Sequence, residues 1–282
     1  MPLALFEVLA AVVVVLTLGA FVFAKTESHL LRSYLALAVS SYIGEETCIR
    51  FYEYYLYKPS LWEKSQWHFL VDYVPALVPL IWPLVILSAR QAVKALFPMA
   101  TGAKLALFVA LVVCFDASLV EVLAVRSHYW VWKTGGHLGV PYIGILGWGY
   151  FTFGAVYALE RADNLFGLLA VPLYGFVATH GLILATWWGL FRYLPDVSDP
   201  VKHAFPAFVL VSLLALAVAF TRRRRGFAIP MTVAGPRLIA ASLFFALLWL
   251  VARREPSYWV HTALVAVPYF VATRFSSATR ST

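Results

Sequence analysis

Apolar stretches about twenty residues long recur along the whole chain, separated by short polar turns. A membrane-crossing helix needs about 20 such residues. The pattern predicts spans over 3–24, 31–57, 69–89, 104–126, 138–159, 164–190, 204–221, 236–252 and 257–273. The last is the weakest, because Tyr258, His261 and Pro268 interrupt it. The third carries Pro75, Pro79 and Pro83, which membrane helices accommodate when neighbours satisfy the freed carbonyls. Glu7, and the lack of a basic residue ahead of the first run, argue against a cleaved signal peptide. The expected fold class is an all-α integral membrane protein of eight or nine transmembrane helices, one polytopic domain over residues 1–282.

Composition agrees. Of 282 residues, 62% are hydrophobic and only 13% charged, where soluble domains carry about 25%. Mean hydropathy is +0.80. The net charge of +8 bears on orientation and anionic lipid, and nucleic acid is not an expected partner. Placing Arg222–Arg225 in the cytoplasm puts Lys25, Arg32, Arg90, Lys94, Lys104, Arg161, Arg237, Arg274 and Arg280 on the same side. Lys58, Lys64, Arg126, Lys133, Arg192, Lys202, Arg253 and Arg254 then fall outside, with the amino terminus. The cell membrane is the expected location. Cys48 and Cys114 lie within spans and read as small buried hydrophobes.

Polar residues inside such spans mark function by default. The second span holds Glu45, Glu46, Arg50 and Glu53 among tyrosines. Glu46, Arg50 and Glu53 stand at i, i+4 and i+7, on one helical face. The fourth holds Asp116 and Glu121, five residues apart and about 140° around the helix, so they serve different partners. Neither has a basic residue within one turn. A buried carboxyl without a cation keeps its proton and becomes a general acid. Asp72 and Tyr142 stand at the entries of the third and fifth spans, within reach of the same outward-opening cavity. Plainer roles exist: Arg50 with Glu46 and Glu53 as an interhelical clamp, Asp72 as a helix cap, Glu45 and His180 in packing.

An internal echo links two stretches. Glu46, Arg50, Tyr54–Tyr57, Val74–Pro75 and Trp82 run in the same order as Glu121, Arg126, Tyr129 to Trp132, Val140–Pro141 and Trp148. Each Trp stands seven residues beyond its proline. The units, about 34–95 and 104–160, would form a parallel repeat with a site between its halves, followed by helices over 164–273. The chain has no histidine box, no Asp-Asp-x-x-Asp and no Gly-rich phosphate loop, so no metal site and no cofactor is expected.

Residues 121–148 resemble the integral membrane carotenoid-biosynthesis family that contains the bisanhydrobacterioruberin hydratases. The likeness rests on Glu121, Tyr129, Trp130, Trp132, Gly139-Val140-Pro141 and Trp148. The first unit is similar in outline, with Tyr73 where the glycine would stand. Arg126 and His128 occupy a region where the family usually has glycines. The resemblance implies a cofactor-independent enzyme acting on a lipophilic isoprenoid that enters from the bilayer. A carboxyl protonates a terminal carbon–carbon double bond, and aromatic faces hold the tertiary cation. A second carboxylate then activates water, giving a hydratase. On this reading Glu46, Asp116, Glu121, Arg50 and Glu53 supply the chemistry, and Tyr54, Asp72, Trp82, Tyr129, Trp130, Trp132, Tyr142 and Trp148 hold the substrate. A carotenoid or terpene cyclase would differ only in trapping the cation with an internal double bond. A proton-coupled transporter of small molecules uses similar residues, and a membrane scaffold would need few of them.

Overall fold

The computed structural model describes residues 3–23, 28–57, 67–133, 135–191, 193 and 200–274. Lys25, Lys58, Lys64, Arg192 and Arg280 lie outside the described residues. Nine α-helices are described: α1 (Leu3–Phe23), α2 (Ser28–Tyr52), α3 (Leu77–Leu96), α4 (Gly102–Arg126), α5 (Tyr142–Leu159), α6 (Leu165–Leu184), α7 (Pro200–Arg224), α8 (Met231–Ala252) and α9 (Pro256–Ala272). Helix α6 runs on as a π-helix, Ala185–Phe191. Five helical stretches are long and apolar enough to cross a membrane: Leu77–Leu96, Gly102–Arg126, Tyr142–Leu159, Leu165–Leu190 and Pro206–Arg224. The chain is a multi-pass, all-α membrane protein.

The second and third predicted spans differ at their ends for reasons visible in the backbone. The second span stops at Tyr52, not Tyr57, because Glu53 takes a φ of 48° and turns the chain out of the helix. The next residues form strand β1 (Tyr55–Leu56), paired antiparallel with β4 (Val131–Trp132). The third span begins late, at Leu77. Before it, β2 (Leu70–Val71) and β3 (Val74–Pro75) make a hairpin whose turn contains Asp72 at φ 56°. A parallel pair, β5 (Ile229–Pro230) with β6 (Thr273–Arg274), closes the far end.

The core lies between α2, α3, α4, α5 and α6, where Tyr34, Leu37, Ile86, Leu105, Val109 and Phe151 are buried. Proline inside α3 is met as the sequence pattern requires. Pro83 has no N–H to offer the carbonyl of Pro79, and the Ser41 hydroxyl donates to that oxygen at 3.0 Å. The Tyr34 hydroxyl does the same for Leu80 at 2.6 Å. These bonds fix α3 against α2 and so aim Trp82 inward. Helix α5 approaches α6 closely at Gly154, where a Cβ would stand 2.2 Å from the Tyr174 carbonyl oxygen. Residues Leu165, Phe166, Leu169, Leu173 and Val177 of α6 remain exposed, the expected outer face of a helix in lipid.

Candidate functional site

One turn after another of α2 contributes to an internal cavity of about 200 Å³. Ser41, Gly44, Glu45 and Cys48 line it at i, i+3, i+4 and i+7. Val78, Ile81, Trp82 and Val85 do so from α3, and Ile143, Gly144, Gly147, Trp148 and Phe151 from α5. Phe6 of α1, Val120 of α4, Thr179 and Ile183 of α6 and Ala240 of α8 add to the wall, which is almost wholly apolar. Its two carboxylates are Glu45 and Glu121, 9% and 3% exposed.

Among the described residues neither carboxylate has a cation as a hydrogen-bond partner; each has three neutral donors. The Tyr55 and Tyr57 hydroxyls both donate to Glu45 Oε2, the second at 3.0 Å, and Trp82 Nε1 donates to Oε1 at 2.9 Å. Glu121 receives three indoles: Trp130 and Trp132 on Oε2 at 2.8 and 2.9 Å, and Trp148 on Oε1 at 2.7 Å. Burying a carboxyl costs several kcal/mol unless its lone pairs are met. Here two phenols and four indoles of the wall are spent on that task.

The two donor sets meet ring by ring. Trp82 lies on Trp148 with centroids 4.1 Å apart, Tyr55 faces Trp132 at 4.8 Å, and Tyr57 faces Trp130 at 5.7 Å. The β1–β4 pairing sets this register, opposing Tyr55 to Trp132. Gly144 makes room for it, since a Cβ there would stand 2.6 Å from the Trp132 ring. Backbone strain follows the same arrangement. Among the described residues, the non-glycines with positive φ are Glu53, Asp72, His128 and Leu138. Glu53 and His128 each stand two residues before an aromatic strand motif, Tyr55-Leu56-Tyr57 or Trp130-Val131-Trp132. Asp72 and Leu138 each stand two residues before a Val-Pro. Such conformations cost about 1–3 kcal/mol each and persist only where surroundings over-determine them.

The structure brings together Glu121, Trp82, Trp130, Trp132 and Trp148, and sets Tyr54 in the cavity wall. It places the other predicted residues elsewhere. Glu46 is one residue, hence about 100°, around α2 from Glu45. Its Oε1 accepts from Arg50 Nε at 2.5 Å, and Arg50 also pairs with Asp72 and lies over the Tyr73 ring. This cluster sits at the α2 exit beside the β2–β3 turn. Glu53 is half-exposed and paired with Lys133 at 2.5 Å. Asp116 turns to the opposite side of α4, where Arg237 of α8 pairs with it and the Tyr269 hydroxyl donates to Oδ1 at 2.5 Å. Tyr129 packs on Phe6 and Trp67, and its carbonyl accepts from the Trp67 indole at 2.9 Å. Tyr142 opens α5 and is not among the cavity-lining residues. His180 is held by Thr47 at 2.8 Å and Tyr52 at 2.9 Å, in a packing position. Among the described residues no three His, Cys, Asp or Glu side chains gather as a metal ion would need.

Sequence reasoning missed Glu45, Tyr55 and Tyr57. Spacing misled it: Glu46 stands nine residues before Tyr55, as Glu121 stands nine before Trp130, whereas Glu45 stands ten before. The two helix exits absorb the difference. Helix α4 ends in a wide turn, with the Tyr129 N–H on the Ala124 carbonyl, while α2 leaves by a single bond from the Glu53 N–H to the Ile49 carbonyl. The usable signal was the helical face, since Ser41, Gly44 and Cys48 mark the side that small residues leave open.

The family model of carotenoid biosynthesis proteins matches residues 3–164, more than half of the chain, and the chain belongs to that family. The match contains both cavity glutamates and all six of their donors. Among curated proteins and among solved structures, nothing matches.

Proposed function

We propose that this carotenoid-biosynthesis protein protonates a carbon–carbon double bond of a polyisoprenoid drawn into the cavity from the bilayer, with water then adding to the cation. The observation that carries the reading is a pair of cation-free carboxyl groups in one apolar cavity walled by indole and phenol rings. Protonation converts the alkene π pair into a C–H bond and leaves a tertiary cation. Ring faces stabilise such a cation by about 2 kcal/mol or more when desolvated. Water donates its oxygen lone pair to the cation, and its spare proton returns to a carboxylate, so the protein is regenerated without a cofactor.

A second reading, cyclisation, is favoured by the dryness of the wall. The Ser41 and Thr179 hydroxyls are turned to backbone carbonyls, leaving water few anchors beside the carboxyl groups. There an internal double bond captures the cation and a neighbouring carbon loses the proton, so mass is unchanged. On either reading we take units 34–95 and 104–160 as halves of a repeat, seated in the cell membrane, with the site between them. The matched strain at Glu53 and His128, and at Asp72 and Leu138, supports this.

Expression in a bacterium that makes lycopene and longer acyclic carotenoids, followed by mass spectrometry of the pigments, tests the proposal. A product heavier by one water supports hydration, and an isomer with altered retention supports cyclisation. Unchanged pigments in cells with the inserted protein would sink both.

A further inference from the structure

The two carboxyl groups look equivalent by count, with three donors each, but their donors differ in kind. An indole N–H only donates, whereas a phenol both donates and accepts. A proton placed on either oxygen of Glu121 finds no acceptor among its three partners, Trp130, Trp132 and Trp148, and on Oε2 it meets two indole hydrogens. A proton on Glu45 Oε2 has two phenolic oxygens beside it, Tyr55 and Tyr57, and either can rotate its own hydrogen away and accept. The Glu121 shell therefore fits one protonation state, the ionised one. The Glu45 shell offers an acceptor for the proton as well as donors for the anion, reached by turning one phenol hydrogen away from the carboxyl. A group that must give and retake a proton needs the second kind of shell.

We infer that Glu45 is the carboxyl that exchanges the proton, with Tyr55 and Tyr57 as its switchable partners, and that Glu121 is a fixed anion facing the developing cation across the Trp82–Trp148 stack. This rests on the acid-initiated reading above. In the step, the Glu45 O–H bond breaks as the alkene π pair forms the C–H bond. The positive charge left on carbon is balanced by Glu121, which neither gains nor loses a proton. Glu45 recovers its proton from the added water or, in cyclisation, from the carbon beside the cation.

Infrared difference spectroscopy of the purified full chain in lipid nanodiscs, exchanged between H₂O and D₂O, tests this without any substrate. The carbonyl stretch of a protonated carboxylic acid reports the neutral form directly. The expected result is such a band in the wild type, absent in Glu45→Gln and retained in Glu121→Gln. Tyr57→Phe should shift its frequency, while Trp130→Phe should leave it in place. The Tyr57→Phe arm keeps the carboxyl itself, so it decides the matter even where Glu45→Gln does not fold. A band that vanishes in Glu121→Gln and persists in Glu45→Gln overturns the assignment, as does a wild type with no such band. A band that follows Glu45 in nanodiscs, with pigments unchanged in the expressing cells, would uphold the protonation assignment and remove the isoprenoid reaction, so the two failures separate.

Discussion

Glu45 and Glu46 are neighbours in the chain, and the fold treats them oppositely. Glu46 meets Arg50, and through it Asp72, in a charged cluster where the helix leaves the bundle. Glu45, about 100° around the same helix, meets only neutral hydroxyls and an indole inside an apolar cavity. Helix α4 repeats the contrast, with Asp116 on Arg237 and Glu121 on three indoles. A carboxylate with a cation is electrostatically finished and serves as a fastening. One held by neutral donors keeps an unbalanced charge, or a proton, for a substrate to answer.

The largest break of this comparison is Glu45→Gln or Glu121→Gln. Each should lower pigment conversion by at least about 100-fold, the scale of losing a general acid or an electrostatic stabiliser. Conversion per inserted protein is the measurement, and near-normal turnover in either variant would refute its role. Next comes the fastening on the other side of α4. Arg237→Met alone should destabilise the protein by about 2–3 kcal/mol, because Asp116, largely shielded, then loses its cation and keeps only the Tyr269 hydroxyl. Arg237→Met with Asp116→Leu should recover most of that, read as thermal unfolding in detergent. A double variant no better than the single would mean the pair does more than fasten. Trp148→Phe keeps a ring against Trp82 but removes one charged hydrogen bond, worth about 1.5–3 kcal/mol. It should weaken conversion by more than it lowers unfolding temperature. Smallest of all, Lys133→Ala breaks a half-exposed pair with Glu53, and the change in stability should stay below about 1 kcal/mol. A larger loss there would show that the helix exit, not the cavity, is the sensitive region.

Much of the fold was legible, because hydropathy counts the residues that lipid requires. Helix ends were less so. The turns at Glu53 and Asp72 rest on positive φ at residues that usually avoid it, and nothing in a hydropathy pattern signals that. Of the site, Glu121 and the tryptophans at 82, 130, 132 and 148 could be read from the echo between the two stretches. Glu45 was harder to read, since residue spacing pointed to Glu46 and only the helical face shared with Ser41, Gly44 and Cys48 favours its neighbour. Asp116 seemed unpartnered for a related reason. Its cation comes from α8, more than a hundred residues away in sequence, beyond what helical spacing can show.

The ring-by-ring contact between the two donor sets binds the history of the two halves. Trp82 cannot shrink without leaving a gap against Trp148, and Tyr55 cannot enlarge without pressing on Trp132. Residues in such contact do not vary independently, because the effect of changing one depends on the other. Descendants of this chain would therefore explore new substrates in matched steps, a replacement in one half permitting its counterpart in the other. The facing aromatics evolve as pairs.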